Sequence, residues 1–120
     1  MGYPWIDEYL KAMKGVSSDF KEEWNWTRYF IGNKMFVAVC KDEQGADRLI
    51  TLKLEPAEGE FLRNRYKDII PGYYMNKVHW NSVKTEGNVP ENLLKDLLEK
   101  SYYLVFSKLS KKQQKELTEI

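Results

Sequence analysis

The sequence predicts an α+β fold, an antiparallel sheet with helices packed on one face. Two strand-like segments, WTRYFI and KMFVAVC, are joined by Gly32 and Asn33, which is typical of a two-residue hairpin turn. A long segment near the end of the chain has leucines at helical spacing, which predicts an amphipathic helix. The predicted order of segments is helix, antiparallel strands, helix, strand and helices. This order favours helices layered against a single sheet.

The first helix is predicted over 4–14. Pro4 suits the first helical position, because its missing N–H would have no helical partner there. Gly15 can adopt the left-handed conformation that ends a helix. The apolar stripe of this helix consists of Ile6, Tyr9, Leu10 and Met13.

Three strands are predicted next, over 26–31, 34–40 and 48–54, with a polar turn over 42–47. The strand 34–40 is apolar on both alternations. A strand of this kind is covered on both faces, so we expect it to be central in the sheet.

A second helix is predicted over 56–67, opened by Pro56. A turn at 71–72 and a strand near 78–84 follow it. In that strand Trp80 is expected to pack under a helix. The inward residues of the second helix are expected to be Phe61, Leu62 and Tyr66.

The longest helix follows Pro90 and carries the leucine stripe on one face. Ser101 falls on this buried stripe, where its hydroxyl can bond to the preceding turn of the helix. Ser110 and Gln113 match a capping box, which predicts a short final helix.

The totals predict one domain over 1–120. The formal net charge is +1, so nucleic-acid binding would need a local basic patch. The single cysteine, Cys40, excludes an internal disulfide and is expected to be a buried, inert thiol. We find no secretory signal and no apolar run long enough to span a membrane, and we expect a cytoplasmic protein.

The stretch IIPGYYMNKVHWNSV, followed by VPENLL and SYYLVFSKL, resembles the MmcQ/YjbR family of small bacterial proteins. The resemblance covers essentially the whole chain, and NKVHW and SYYLV are its most specific pieces. It implies a fold like that of CyaY, the bacterial frataxin, with an antiparallel sheet flanked by helices. It also implies a DNA-binding protein with a double-wing motif. The wings would be the hairpin turns at Gly32–Asn33 and Asp42–Asp47.

Ten residues are candidate nucleic-acid contacts, because they offer cations, an amide or an imidazole to a phosphate or a base. The alternative for the cations is a solvated charged surface with interleaved carboxylates. Asn76 can instead serve the turn, and His79 can instead bond to backbone and fix the start of its strand. The ten are Arg28, Arg63, Arg65, Lys67, Asn76, Lys77, His79, Lys108, Lys111 and Lys112.

The sequence thus predicts a protein that binds the phosphate backbone of DNA through a local basic patch and strand hairpins. The alternative is a small non-enzymatic protein-interaction or ligand-binding module, with a pocket between the sheet and the segment 71–80. We expect no enzymatic activity, since the lone histidine has no nucleophile or orienting acid at a readable spacing. We also expect no cofactor and no metal, and we favour a monomer.

Overall fold

The structure, a computed structural model, describes residues 2–72 and 75–118. Within them the chain forms four helices and six strands. In chain order these are α1 (Ile6–Lys11), β1 (Val16–Lys21), β2 (Trp26–Ile31), β3 (Lys34–Lys41), β4 (Asp47–Lys53), α2 (Pro56–Arg65), β5 (Ile69–Pro71), β6 (Trp80–Lys84), α3 (Glu91–Ser107) and α4 (Lys111–Thr118).

The strands form one antiparallel sheet in the order β1-β2-β3-β4-β6-β5. The first four strands follow one another as neighbours, so each turn reverses the chain and consecutive turns lie at opposite ends of the sheet. Strand β3 lies inside the sheet, and its residues from Phe36 to Cys40 are buried. The prediction of a central strand that is covered on both faces is confirmed.

The helices cover one face of this sheet. Leu10 of α1, Leu62 of α2 and Leu98 of α3 share one buried cluster with Val37 and Ile50 of the sheet. Leu117 of α4 packs against the same cluster. The predicted α+β fold, an antiparallel sheet with helices on one face, is confirmed.

The other face, called here the helix-free face, has a smaller buried cluster of Trp26, Ala38, Cys40 and Leu49. Met75, from the loop between β5 and β6, packs against it. Beside it the hydroxyls of Thr51 and Ser82 are hydrogen bonded to each other at 2.8 Å.

Two local predictions hold in detail. Gly32 and Asn33 both have positive φ, 55° and 68°, as a tight turn between twisted strands requires. The backbone N–H of Gln113 donates to the Ser110 hydroxyl at 3.1 Å, and the N–H of Ser110 donates to the Gln113 side chain at 3.3 Å. This reciprocal pair is the predicted capping box of α4.

Element bounds were predicted less well. Helix α1 is shorter than the predicted 4–14, and α2 ends two residues before the predicted 67. Strands β1 and β5 were not predicted. Residues 71–72 form the end of β5 and the residue after it, rather than a free-standing turn.

Three side-chain predictions were wrong. Phe61 was expected inward but is 62 % exposed on α2. Trp80 was expected under a helix, but β6 begins at Trp80 and places it on the helix-free face, because its neighbour Asn81 faces α2. Ser101 does not bond to its own helix. Its hydroxyl donates to the Phe36 carbonyl at 2.6 Å and accepts the Lys53 N–H at 2.9 Å, so it joins α3 to the sheet.

Candidate nucleic-acid interface

The two hairpin turns expected to act as wings lie at opposite ends of the sheet. The Gly32–Asn33 turn precedes β3 and the 42–46 turn follows it. An eight-residue strand is roughly 26 Å long. These two turns therefore cannot sit side by side on one stretch of DNA. The turn that does adjoin 42–46 is that of β1 and β2, where the Asn25 amide donates to the Asp42 carbonyl at 2.8 Å.

The end of the sheet that carries these two adjoining turns is rich in carboxylates. The Asp42 side chain accepts the N–H groups of Gln44 and Ala46, both at 2.9 Å, and so shapes its own turn. Cations lie among them: Lys21 is 3.9 Å from Glu23, Lys41 is 2.8 Å from Asp47, and Arg48 and Lys84 line the same cavity as Asp42 and Glu86. We call this the acidic end, and its residues are Glu22, Glu23, Asp42, Glu43 and Glu86.

The opposite end of the sheet carries exposed lysines around the Gly32–Asn33 turn. Leu109 packs on this turn, since a Cβ at Gly32 would lie 2.8 Å from its Cδ1. Helix α4 starts beside Leu109 and reaches Gly15, where a Cβ would lie 2.8 Å from Leu117. The helix therefore lies across this end of the sheet.

We call this the basic end, and its cations are Lys34, Lys77, Lys108, Lys111 and Lys112. All five are exposed, and none is within ion-pair distance of a carboxylate in the described part of the chain. Glu55 also lies at this end, and Glu58 is bound to Lys100.

The turn before β6 holds three of the sequence-predicted residues at the basic end. The Asn76 side chain accepts the Val78 N–H at 2.8 Å, and the Asn76 carbonyl accepts the Trp80 N–H at 2.9 Å. The His79 carbonyl accepts the Leu54 N–H at 2.9 Å. Asn76 thus has the turn-forming role given as its alternative, while Lys77 stays exposed. Tyr73 and Tyr74, which precede this turn, lie outside the described residues.

Arg28 lies in the middle of β2 on the helix-free face, away from the lysines. Its guanidinium makes two hydrogen bonds to the Asp19 carboxylate, at 2.8 and 2.6 Å. This pair raises the pKa of Arg28 and lowers the pKa of Asp19. The same guanidinium stands 5.7 Å from the Trp24 ring and 5.1 Å from the Phe30 ring. Arg28 is thus a cation held between two aromatic rings.

The predicted cations of α2 lie near the sheet edge formed by β5. The Arg63 guanidinium donates to the side chain of Asn81, which is fully buried, so Arg63 is engaged inside the fold. Arg65 and Lys67 are exposed at the end of α2, which leads towards the acidic end of the sheet. The structure does not bring these three residues together with Lys108, Lys111 and Lys112 at the α3–α4 junction.

Sequence reasoning missed Lys34 of the basic end and Lys53, which lies beside it. Lys34 directly follows the hairpin turn, and this position in the sequence could have identified it. Lys53 ends β4 on the helix-free face and stands 6.0 Å from the Trp80 ring. The position of Lys53 beside Trp80 results from the pairing of β4 with β6, which no local sequence pattern predicts.

The single thiol of the chain is buried. Burial raises the pKa of the Cys40 thiol to about 11, which disfavours the reactive thiolate. Among the described residues, no three His, Cys, Asp or Glu side chains are grouped closely enough to hold a metal ion. Nor does any helix in the described ranges have the length and apolarity to cross a membrane.

Comparison with known proteins identifies the family. The YjbR family model matches residues 11–104, which include the sheet, the Gly32–Asn33 turn and most of α3. The chain belongs to the YjbR family.

Two curated YjbR-family relatives cover most of the chain. The chain is 26 % identical to the uncharacterized protein YjbR of Escherichia coli K12, over 94 % of each chain. It is 38 % identical to the uncharacterized protein YyaQ of Bacillus subtilis, over 82 % of this chain and 93 % of that protein.

Among solved structures, the DUF419-domain protein DR2400 of Deinococcus radiodurans is 29 % identical and superposes with a TM-score of 0.84. The match covers 94 % of this chain and 85 % of that one. A Pseudomonas syringae protein at 23 % identity has a TM-score of 0.71, over 87 % of this chain and 98 % of its own. The antiparallel sheet of this YjbR-family chain is thus a fold seen in solved proteins.

Proposed function

We propose that this protein binds DNA in the cytoplasm, by its phosphate backbone and through the basic end. The observation that carries the proposal is the set of five exposed lysines that have no carboxylate partner in the described part of the chain. Lysines in this state lose little by binding a phosphate, because no existing ion pair has to be broken first. Binding also releases the counterions condensed on the DNA.

The geometry favours a single hairpin rather than two wings as the contact. The Gly32–Asn33 turn lies between Lys34, which follows it, and the α3–α4 junction, whose Leu109 packs on it and whose lysines are exposed beside it. The acidic end would repel phosphates, so we expect it to face away from the DNA. A protein with a net charge of only +1 can bind a polyanion in this way because its charges are segregated.

The test removes three lysines of the basic end together, in the variant K108Q/K111Q/K112Q. DNA affinity at low ionic strength, measured by fluorescence anisotropy, is expected to fall by tenfold or more. The plot of log affinity against log salt has a negative slope, and each lost phosphate contact should reduce the magnitude of that slope by about 0.9. The slope is diagnostic because it counts phosphate contacts and does not depend on the preferred sequence.

The matched control is R65Q/K67Q/K84Q, which removes three exposed cations elsewhere. Both variants change the formal net charge by three, from +1 to −2. The control is expected to keep nearly the affinity and slope of the parent protein. Equal losses in both variants would assign the binding to net charge alone. A parent protein that binds no DNA even at low salt would end the proposal.

A further inference from the structure

A row of partly exposed side chains crosses the helix-free face next to the basic end. It consists of Phe30 on β2, Met35 on β3, Lys53 on β4 and Trp80 on β6. Phe30 is paired with Met35 in the sheet, and Lys53 is paired with Trp80. We call these four residues the aromatic row.

The four residues share one face because of the register of the strands. Phe30 lies two residues beyond Arg28, whose partner Ala38 belongs to the helix-free cluster. Met35 packs on the same cluster. Lys53 and Trp80 alternate with Leu52 and Asn81, which face the helices. Phe30 and Trp80 are three strand spacings apart, which is roughly 14 Å.

Each aromatic ring of the row has a cation beside it. The Arg28 guanidinium is 5.1 Å from the centroid of Phe30, and the Lys53 ammonium is 6.0 Å from that of Trp80. A ring that offers a surface to a base, with a cation able to reach the adjoining phosphate, is the arrangement by which proteins bind single-stranded nucleic acid. Lys53 and Lys34 are the cations that can reach a phosphate here, because Asp19 holds Arg28. A duplex cannot use it, since its bases are stacked on one another.

The charge at the row favours a polyanion. Arg28, Lys34 and Lys53 lie on or beside the row, and Asp19 is the carboxylate bound to Arg28. The exposed aromatic residue at the other end of this face, Trp24, also has cations beside it, Lys21 at 5.2 Å and Arg28 at 5.7 Å, but its turn carries Glu22 and Glu23, and Asp19 holds Arg28. The row therefore combines aromatic rings with net positive charge, whereas the surroundings of Trp24 do not.

We infer that the preferred ligand of this protein is nucleic acid with unpaired bases, which lie on Phe30 and Trp80 while the basic end holds the flanking phosphates. This inference rests on the proposed function and narrows it to a class of ligand. Stacking on Phe30 and Trp80 supplies the preference for single strands. The lysines supply the salt-dependent affinity that both kinds of DNA share.

The test compares a single strand of about 16 thymidines, the upper range of site sizes for one binding domain, with a duplex of the same length. We expect the single strand to bind at least tenfold more tightly at low salt. The variant F30L/W80L is expected to lose this preference, with about tenfold weaker binding for each ring removed. Its affinity for the duplex is expected to stay within threefold, roughly the effect of a single weak contact. The control F61L, which removes an exposed ring on α2 at the helix-covered side of the sheet, should leave the preference intact.

A measurement on the unaltered protein guards against misfolding of F30L/W80L. The indole N–H signal of Trp80 and the backbone amide signals of Phe30 and Met35 are followed by NMR as the single strand is added. We expect these signals to move and the indole signal of Trp5, which packs on the helix-covered side of the sheet, to stay in place. Equal binding of duplex and single strand, or movement of the Trp5 signal alone, overturns the inference and leaves DNA binding standing. Absence of binding to both ligands overturns the proposed function as well.

Discussion

Ser101 links the longest helix to the sheet through two hydrogen bonds of one hydroxyl. The residue is fully buried, and its partners are backbone groups of β3 and β4. A small polar side chain lets α3 approach the sheet closely and at the same time satisfies two backbone groups that would otherwise lack partners. Replacing it removes both bonds while water has no access to the site.

We expect Ser101→Ala to lower the free energy of unfolding by about 1–3 kcal/mol, because two buried backbone groups lose a partner. The control is Ser107→Ala on the same helix, since the Ser107 hydroxyl is exposed and bonds only to the Leu104 carbonyl. It should change stability by less than about 0.5 kcal/mol. Urea denaturation of both variants measures the difference, and similar losses would contradict the role of Ser101.

Tyr29 and Asp7 form a hydrogen-bonded pair between a buried hydroxyl and a carboxylate. The Tyr29 hydroxyl donates to the Asp7 carboxylate at 2.7 Å, which ties α1 to β2. Burial, and then this bond, raises the pKa of Tyr29. The same bond is the main cause of the lowered pKa of Asp7. Half of the Asp7 side chain is exposed, so solvent weakens the pair.

For Tyr29→Phe we expect a loss of about 1 kcal/mol near neutral pH. The unaltered protein should lose stability above about pH 10, because the unfolded tyrosine releases its proton there and the folded one retains it. It should also lose stability as acid protonates Asp7, whose folded pKa is depressed. Both losses are expected to be smaller in the variant. Thermal denaturation across this pH range measures them, and identical pH profiles would contradict the pairing.

At the scale of the secondary-structure elements, the Gly32–Asn33 hairpin turn also supports the start of α4, because Leu109 packs on it. Gly32 has a φ of 55°, a backbone conformation that residues other than glycine rarely adopt, and Leu109 lies directly against it. Gly45 in the 42–46 turn has a φ of 84°, but no atom lies within 4 Å of the place where a Cβ would stand. Both glycines therefore need a positive φ, but only Gly32 is in close contact with another residue, Leu109.

We expect Gly32→Ala and Gly45→Ala each to cost about 1–2 kcal/mol from the left-handed backbone. Gly32→Ala should cost more, because it must also displace Leu109 and with it the start of α4. Melting temperatures compare the two, and hydrogen exchange of the α4 amides should rise only in Gly32→Ala. Equal melting temperatures together with unchanged hydrogen exchange in α4 would show that the contact of Gly32 with Leu109 does not stabilise the protein.

Elements with strong local signals could be predicted from the sequence. The hairpin depends on two adjacent residues, and the capping box of α4 depends on two residues three positions apart. Strand β1 could not be predicted, because as an edge strand it is largely exposed and has no apolar alternation. Trp80 was assigned to the wrong face because strand alternation groups it with Ser82 but does not tell which of the two faces the helices cover.

At the scale of the whole molecule, the site depends on topology more than on any motif. The ten candidate residues are dispersed in the sequence, and the fold gathers the lysines of the α3–α4 junction and the β6 turn at one end of the sheet. It leaves Arg63, Arg65 and Lys67 near the β5 edge. The composition gives a formal net charge of only +1, which does not reveal how the charged residues are distributed over the surface. Strand order decides it, and no local pattern in the sequence carries strand order.

The placement of opposite charges at the two ends of the strands makes the molecule an electric dipole whose axis follows the sheet. A polyanion some distance away exerts a torque on such a body and turns it before contact, so collisions are productive more often than random tumbling allows. Charge interactions over more than about 10 Å are largely screened at ordinary ionic strength, so this guidance fades with added salt sooner than the contacts themselves. The rate of capture should accordingly be the first quantity that salt diminishes.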